Sequence, residues 1–154
     1  MSESDLCKTA LSRAMVLCSK HEYCIDDILT KLHSWGVSDP DSERIINTLV
    51  KEKFLDEKRY SEIFVREKFR FNKWGRIKIT AQLKLKKVPS EIIKNALVSL
   101  DDELYVQTLK DLLKEHRKHI KAKNQYDLKG KLLRYGQSKG FESGILYDLL
   151  NDFE

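Results

Sequence analysis

Three segments of the 154-residue chain align without gaps: DILTKLHSWGV at 27–37, KITAQLKLKKV at 78–88 and KLLRYGQSKGF at 131–141. A repeat of about 50 residues restricts the fold severely, because each unit is too small to bury its own apolar face and must stack on its neighbours. Each copy has an aliphatic residue at its second position (Ile28, Ile79, Leu132) and an apolar one at its last (Val37, Val88, Phe141). Leu32 and Leu83 match at the sixth position, where the third copy has Gly136.

The residues after each copy match too. Ile92, Ile93 and Leu97 follow Val88 at the same distances at which Ile145, Leu146 and Leu150 follow Phe141. The first copy reproduces them as Ile45, Ile46 and Val50, displaced by four residues through an insert in SDPDSERII. Before each pair lies a longer amphipathic stretch, at 5–19, 57–73 and 102–120, so the unit reads helix, helix, helix. Asp39 to Ser42 and Pro89-Ser90 supply helix starts, Gly36 and Gly140 left-handed helix ends, and Gly75 breaks the long middle helix. No stretch alternates with period two for long enough to claim a sheet. The expected fold is all-α: a tandem array of three three-helix repeats, elongated and curved. It forms one repeat domain over 1–154, with modules at about 5–55, 56–100 and 101–154.

Charged residues make up 34% of the chain and apolar ones 41%, which suits a folded protein with much exposed helix. No apolar run approaches the length of a membrane span, and the N-terminus MSESDLCKTALSRAM has no basic-then-apolar signal pattern, so the expected location is the cytoplasm, with no membrane partner. Cys7, Cys18 and Cys24 form no disulfide framework. Cys18, His21 and Cys24 are close enough in sequence to suggest zinc, but a fourth ligand at a familiar spacing is missing. Cys7, Leu11, Ala14 and Cys18 share one helix face, which favours small buried hydrophobes.

Charge is segregated. Residues 56–88 hold eleven Lys or Arg against four acids, and residues 110–139 hold ten against three, each a net of +7; with the whole chain at +5, the remainder sums to −9. On a helix, Arg59, Arg66, Arg70 and Lys73 form one stripe, and Arg76 and Lys78 continue the basic run past Gly75. Lys110, Lys114, Arg117, Lys118 and Lys121 repeat the stripe one module later. Such faces attract polyanions, either nucleic acid or an acidic protein groove. Tyr60, Ile63, Phe64, Phe71 and Trp74 occupy the neighbouring face and read as core, with Phe69 and Trp74 the rings to watch for exposure.

Catalytic patterns are missing: there is no phosphate-binding loop, no Gly-rich dinucleotide turn and no Gly-x-Ser-x-Gly. His116 and His119 lack a placed third ligand, and His116 shares a face with Leu109, Leu112, Leu113 and Ile120, so a packed histidine is expected. No enzyme activity, metal or cofactor is expected.

The middle module, FLDEKRYSEIFVREKFRFNKWGRIKITAQLKLKKV at 54–88, resembles the signature of the RecX family of RecA regulators. The resemblance rests on an apolar pair before Asp56, Arg59-Tyr60, Phe64-Val65-Arg66, Gly75, Lys78-Ile79, Leu83 and the closing Lys-x-Val. The flanking modules match more weakly in the same order. Two departures stand out. Gly75-Arg76 replaces a usual Gly-Pro and loses a rigid helix start; Lys86-Lys87 replaces a usual Lys-Gly and loses a left-handed cap. The resemblance implies tandem three-helix repeats and a non-enzymatic monomer that binds RecA in the groove of its filament on single-stranded DNA. It implies modulation, mostly inhibition, of RecA ATPase, strand exchange and coprotease activity in recombination, DNA repair and the SOS response. The residues expected at the partner are Arg59, Arg66, Arg70, Lys73, Arg76, Lys78, Lys110, Lys114, Arg117 and Lys121. The competing reading is a sequence-independent nucleic-acid binder acting without RecA, with single-stranded DNA as its ligand.

Overall fold

The computed structural model describes residues 2–152, and all regular structure among them is helical. The first module holds α1 (Glu3–Lys20), α2 (Ile25–Ser34) and α3 (Asp39–Lys51). The second holds α4 (Glu57–Arg70), α5 (Arg76–Leu85) and α6 (Ser90–Leu97). The third holds α7 (Asp102–Arg117), α8 (Gln125–Ser138) and α9 (Ser143–Asn151).

The three aligned segments are the second helix of each module and its exit turn. Their tenth residues, Gly36, Lys87 and Gly140, take left-handed φ values of 80°, 60° and 95°. The next amide, of Val37, Val88 or Phe141, donates back to the carbonyl of Leu32, Leu83 or Gly136 at 3.0, 3.2 and 3.1 Å. This six-to-one bond closes the helix and drops the following apolar side chain into the core. Lys87 therefore keeps the geometry of the glycine it replaces, at a cost of about 1 kcal/mol. Gly136 makes room for its neighbour, since a Cβ there would stand 2.3 Å from the Leu146 side chain.

The third helices correct the sequence reading. Ser38 caps α3 directly after Val37, as Pro89 precedes α6 after Val88 and Glu142 precedes α9 after Phe141. There is no insert: Ser42 occupies the place of Ile93 and Leu146, and α3 is longer at its far end. A shift of four residues barely rotates a helix, so the apolar pattern of Ile45 and Ile46 concealed the true register. Ser42 is buried, and its hydroxyl has no partner.

Two first helices also stop short of their sequence limits. α4 ends at Arg70, and the turn after it is made by Lys73 at φ 58°, so Gly75 does not break it. Gly75 instead precedes α5 with an ordinary φ of −79°. α7 ends at Arg117.

Two hydrophobic cores result. Ala14, Ile28, Leu32, Ile45 and Leu49 centre the first module's own core. The second and third modules share one, built on Val65, Leu83, Ile93, Tyr105, Leu109, Leu132 and Leu146, into which Cys24, just before α2, also reaches. The accessible surface is 9790 Å², against about 8,100 Å² for a compact monomer of this mass; the array is elongated.

Candidate partner-binding face

At both module joints, the N-terminal end of a second helix docks on the next module's first helix and exit turn. The chemistry of the two joints differs. Between the second and third modules, the amides of Gly75 and Ile77 donate to the carbonyls of Lys139 and Gly140 at 2.8 and 3.0 Å. A Cβ on Gly75 would lie 2.3 Å from the Gly140 oxygen, so this backbone approach admits only glycine. Arg76, where the family signature usually has proline, donates its amide to the Tyr105 hydroxyl at 2.9 Å. Its guanidinium lies 3.8 Å from the centre of the Tyr105 ring and pairs with Glu142 at 2.9 Å and Asp102 at 2.7 Å. Phe69 and Phe141 pack on that ring too.

Between the first and second modules, beside the buried Cys24, ion pairs make the connection. Lys86 reaches Asp27 at 2.6 Å, Lys87 approaches Asp26 at 3.6 Å, and Arg59 meets Glu22 at 2.7 Å. Burial alone would raise the Asp27 carboxyl, but hydrogen bonds involving Lys86 and Cys24 outweigh it and hold it below the usual range. Beside it, burial and the surrounding acids push Glu57 up. Cys24 caps α2: its sulfur accepts the Asp27 amide, and burial raises its thiol to about 12. Its neighbour in the zinc reading, Cys18, is buried, and no cluster able to hold a metal occurs among the described residues.

The ten residues expected at the partner divide accordingly. Arg59 is spent inside the molecule, on Glu22 and on the carbonyls of Lys53 and Phe54 at the end of the first module. Arg76 is likewise committed to the second joint. Arg66 and Arg70 are exposed a turn apart on α4. Lys73 is exposed but lies beyond α4, in the turn, so it does not continue the helical stripe. Lys78 sits on α5 with its ammonium 4.8 Å from the centre of the Trp74 ring. On α7, Lys110 is half-buried and Lys114 and Arg117 are exposed, whereas Lys121 falls in the loop after the helix, where its carbonyl accepts from Lys131.

The aromatic expectations reverse in part. Phe69 is buried and Trp74 is half-buried beneath two lysines, whereas Phe71, expected in the core, is 71% exposed. Phe71 keeps helical backbone geometry as the C-cap of α4, its amide bonded to the Glu67 carbonyl at 2.8 Å, so its exposure comes from its place at the helix end rather than from a change of face. His116 packs as expected, with its ring centre 3.6 Å from that of Tyr135. Lys68 and Lys139, which sequence spacing did not single out, join Lys78 around the Trp74 corner; their shared environment arises only when α4 and the third module's exit turn meet.

The molecule is thus a helical-repeat protein that carries exposed cations on its middle and last modules. The family model described as RecX, second three-helix domain, matches residues 56–97. A regulatory protein RecX of Prosthecochloris aestuarii is 30% identical over 99% of this chain and 97% of its own length. Another, of Lactobacillus johnsonii, is 28% identical over 88% of this chain, which spans only about half the length of that relative. The crystal structure of RecX from Lactobacillus salivarius has the same fold, with a TM-score of 0.85 at 21% identity over 97% of both chains. The chain belongs to the RecX family of regulatory proteins. No described helix is long and apolar enough to cross a membrane.

Proposed function

We propose that the protein binds RecA and its filament on single-stranded DNA and inhibits RecA ATPase, strand exchange and coprotease activity, without an enzymatic step of its own. The observation that supports this most is the exposed pair Arg66 and Arg70 on α4, neither of them engaged in an ion pair with a described carboxylate, within a segment of net charge +7. An elongated array carrying such charges can lie along a groove and contact successive subunits. The test is a RecA ATPase titration with the Arg66→Glu/Arg70→Glu variant, which reverses the local charge without touching the core. The variant should stay helical and lose most of its inhibition; inhibition equal to wild type at physiological salt would move the contact to another face.

Phe71, exposed between Arg70 and Lys73, gives some support to the competing reading, because a bare ring among cations suits a nucleobase and its phosphate. Co-sedimentation separates the two. Retention on RecA filaments at moderate salt supports RecA binding, whereas retention on bare DNA alone, falling steeply with salt, supports direct nucleic-acid binding.

A further inference from the structure

Half-buried cations at the two joints mostly face carboxylates: Arg59 meets Glu22, Arg76 meets Glu142, and Lys86 meets Asp27. One group does not. Lys68 on α4 holds its ammonium 5.0 Å from the centre of the Trp74 ring, and Lys78 on α5 holds its own 4.8 Å from the same point. The two charges are therefore no more than about 10 Å apart. Lys139, in the exit turn of the third module, donates to the Asn72 carbonyl at 2.8 Å, two residues from that tryptophan. Its backbone is pinned there, because Gly75 binds the Lys139 carbonyl and Gly140 abuts Lys78.

All three lysines are half-buried, and none has an ion pair with a described carboxylate. The strain registers on Lys139, whose ammonium is pushed below its ordinary range by burial and then by the charge of Lys78. A ring face and a neutral carbonyl offset part of the cost of gathering these charges, but neither carries a negative charge. A single carboxylate would neutralise one of the three. A phosphate group carries more charge and more acceptor oxygens, and lysines on flexible stems can converge on it as point charges.

We propose that Lys68, Lys78 and Lys139 form a phosphate-binding site beside Trp74, at the joint between the second and third modules. Its ligand is a phosphate group, supplied either by a free nucleotide or polyphosphate or by the backbone of a nucleic-acid strand. The site is independent of RecA and can be tested without it.

Trp74 is the reporter. Trp35 is the other tryptophan of the chain, so Trp35→Phe leaves Trp74 emission alone. This variant is titrated with pyrophosphate against sodium chloride of equal ionic strength, then with a short single-stranded oligonucleotide. Pyrophosphate should give a saturable change in emission as the ammoniums move from the ring to the anion. In Lys78→Gln/Lys139→Gln, with helix content unchanged, the midpoint should rise at least tenfold. If Trp35→Phe folds poorly, the Trp74 indole N–H resonance of the unaltered chain gives the same reading. Oligonucleotide that displaces pyrophosphate identifies a strand as the source; pyrophosphate binding without oligonucleotide binding identifies a small phosphate. A change that follows ionic strength alone, or an equal midpoint in the double variant, overturns the site. Loss of RecA inhibition is not part of this readout, so the RecA reading and the phosphate site can fail separately.

Discussion

The backbone amide of Arg76 donates to the phenol of Tyr105 at 2.9 Å, across the joint between the second and third modules. The same hydroxyl donates to Glu142. Tyr105 is completely buried, and burial followed by the bond to Glu142 pushes its ionisation up. Tyr105→Phe keeps the ring but leaves an amide and a carboxylate oxygen without this partner. Stability should fall by about 1–3 kcal/mol in urea unfolding, with helix content retained below the transition. A variant as stable as wild type would mean that water replaces the hydroxyl freely.

The three exit turns make an internal series. Gly140→Ala should cost at least about 2 kcal/mol, because strain at φ 95° adds to a Cβ placed 2.6 Å from the Lys78 amide. Gly36→Ala meets open space at φ 80° and should cost about 1 kcal/mol. Lys87→Gly relieves the left-handed strain and should stabilise by about 0.5 kcal/mol, provided its contact with Asp26 contributes little. Thermal melts that do not rank the variants in this order would contradict the assignment of strain.

Leu83 is fully buried at the sixth repeat position, in the core shared by the second and third modules. Leu83→Asp should cost several kcal/mol, of the order of 4, and circular dichroism should show loss of helix beyond the second module. A native-like spectrum and melting point would place residue 83 outside the core.

The first joint should respond to acid. Asp27 has a folded pKa below its ordinary value, so its stabilising contribution is complete at neutral pH and is lost as pH falls from about 4 through that lower value. Glu57 acts in the opposite sense: its raised pKa makes the folded chain bind a proton more readily, so its charged form opposes folding at neutral pH. Asp27→Asn should therefore flatten the acid limb of the stability profile, whereas Glu57→Gln should stabilise slightly at neutral pH, by about 0.5 kcal/mol or less after solvent screening. Unchanged pH profiles in both variants would remove these carboxylates from the account.

Much of the architecture could be read from the chain because it repeats. Val37, Val88 and Phe141 mark three equivalent exit turns, and Ile28, Ile79 and Leu132 all point inward, which fixed the number and kind of helices. Register was less accessible: the 3.6-residue period lets Ile46 imitate Ile93 from one turn away, so Ser42 escaped notice. The candidate face was legible where cations stay on one helix, as Arg66 and Arg70 do. Spacing could not separate these from Arg59 and Arg76, whose partners Glu22 and Glu142 lie 37 and 66 residues away. Nor could it foresee Phe71, which keeps its helical spacing as the last turn of α4 closes and yet is exposed.

The two joints give the array an uneven stiffness. Backbone bonds at Gly75 and a common core hold the last two modules together, whereas the first is joined to them by side-chain charges that salt can screen and by the buried Cys24. The molecule is in effect a rigid arm with an ionic elbow near Asp27 and Lys86. High salt should therefore loosen the first joint before the second.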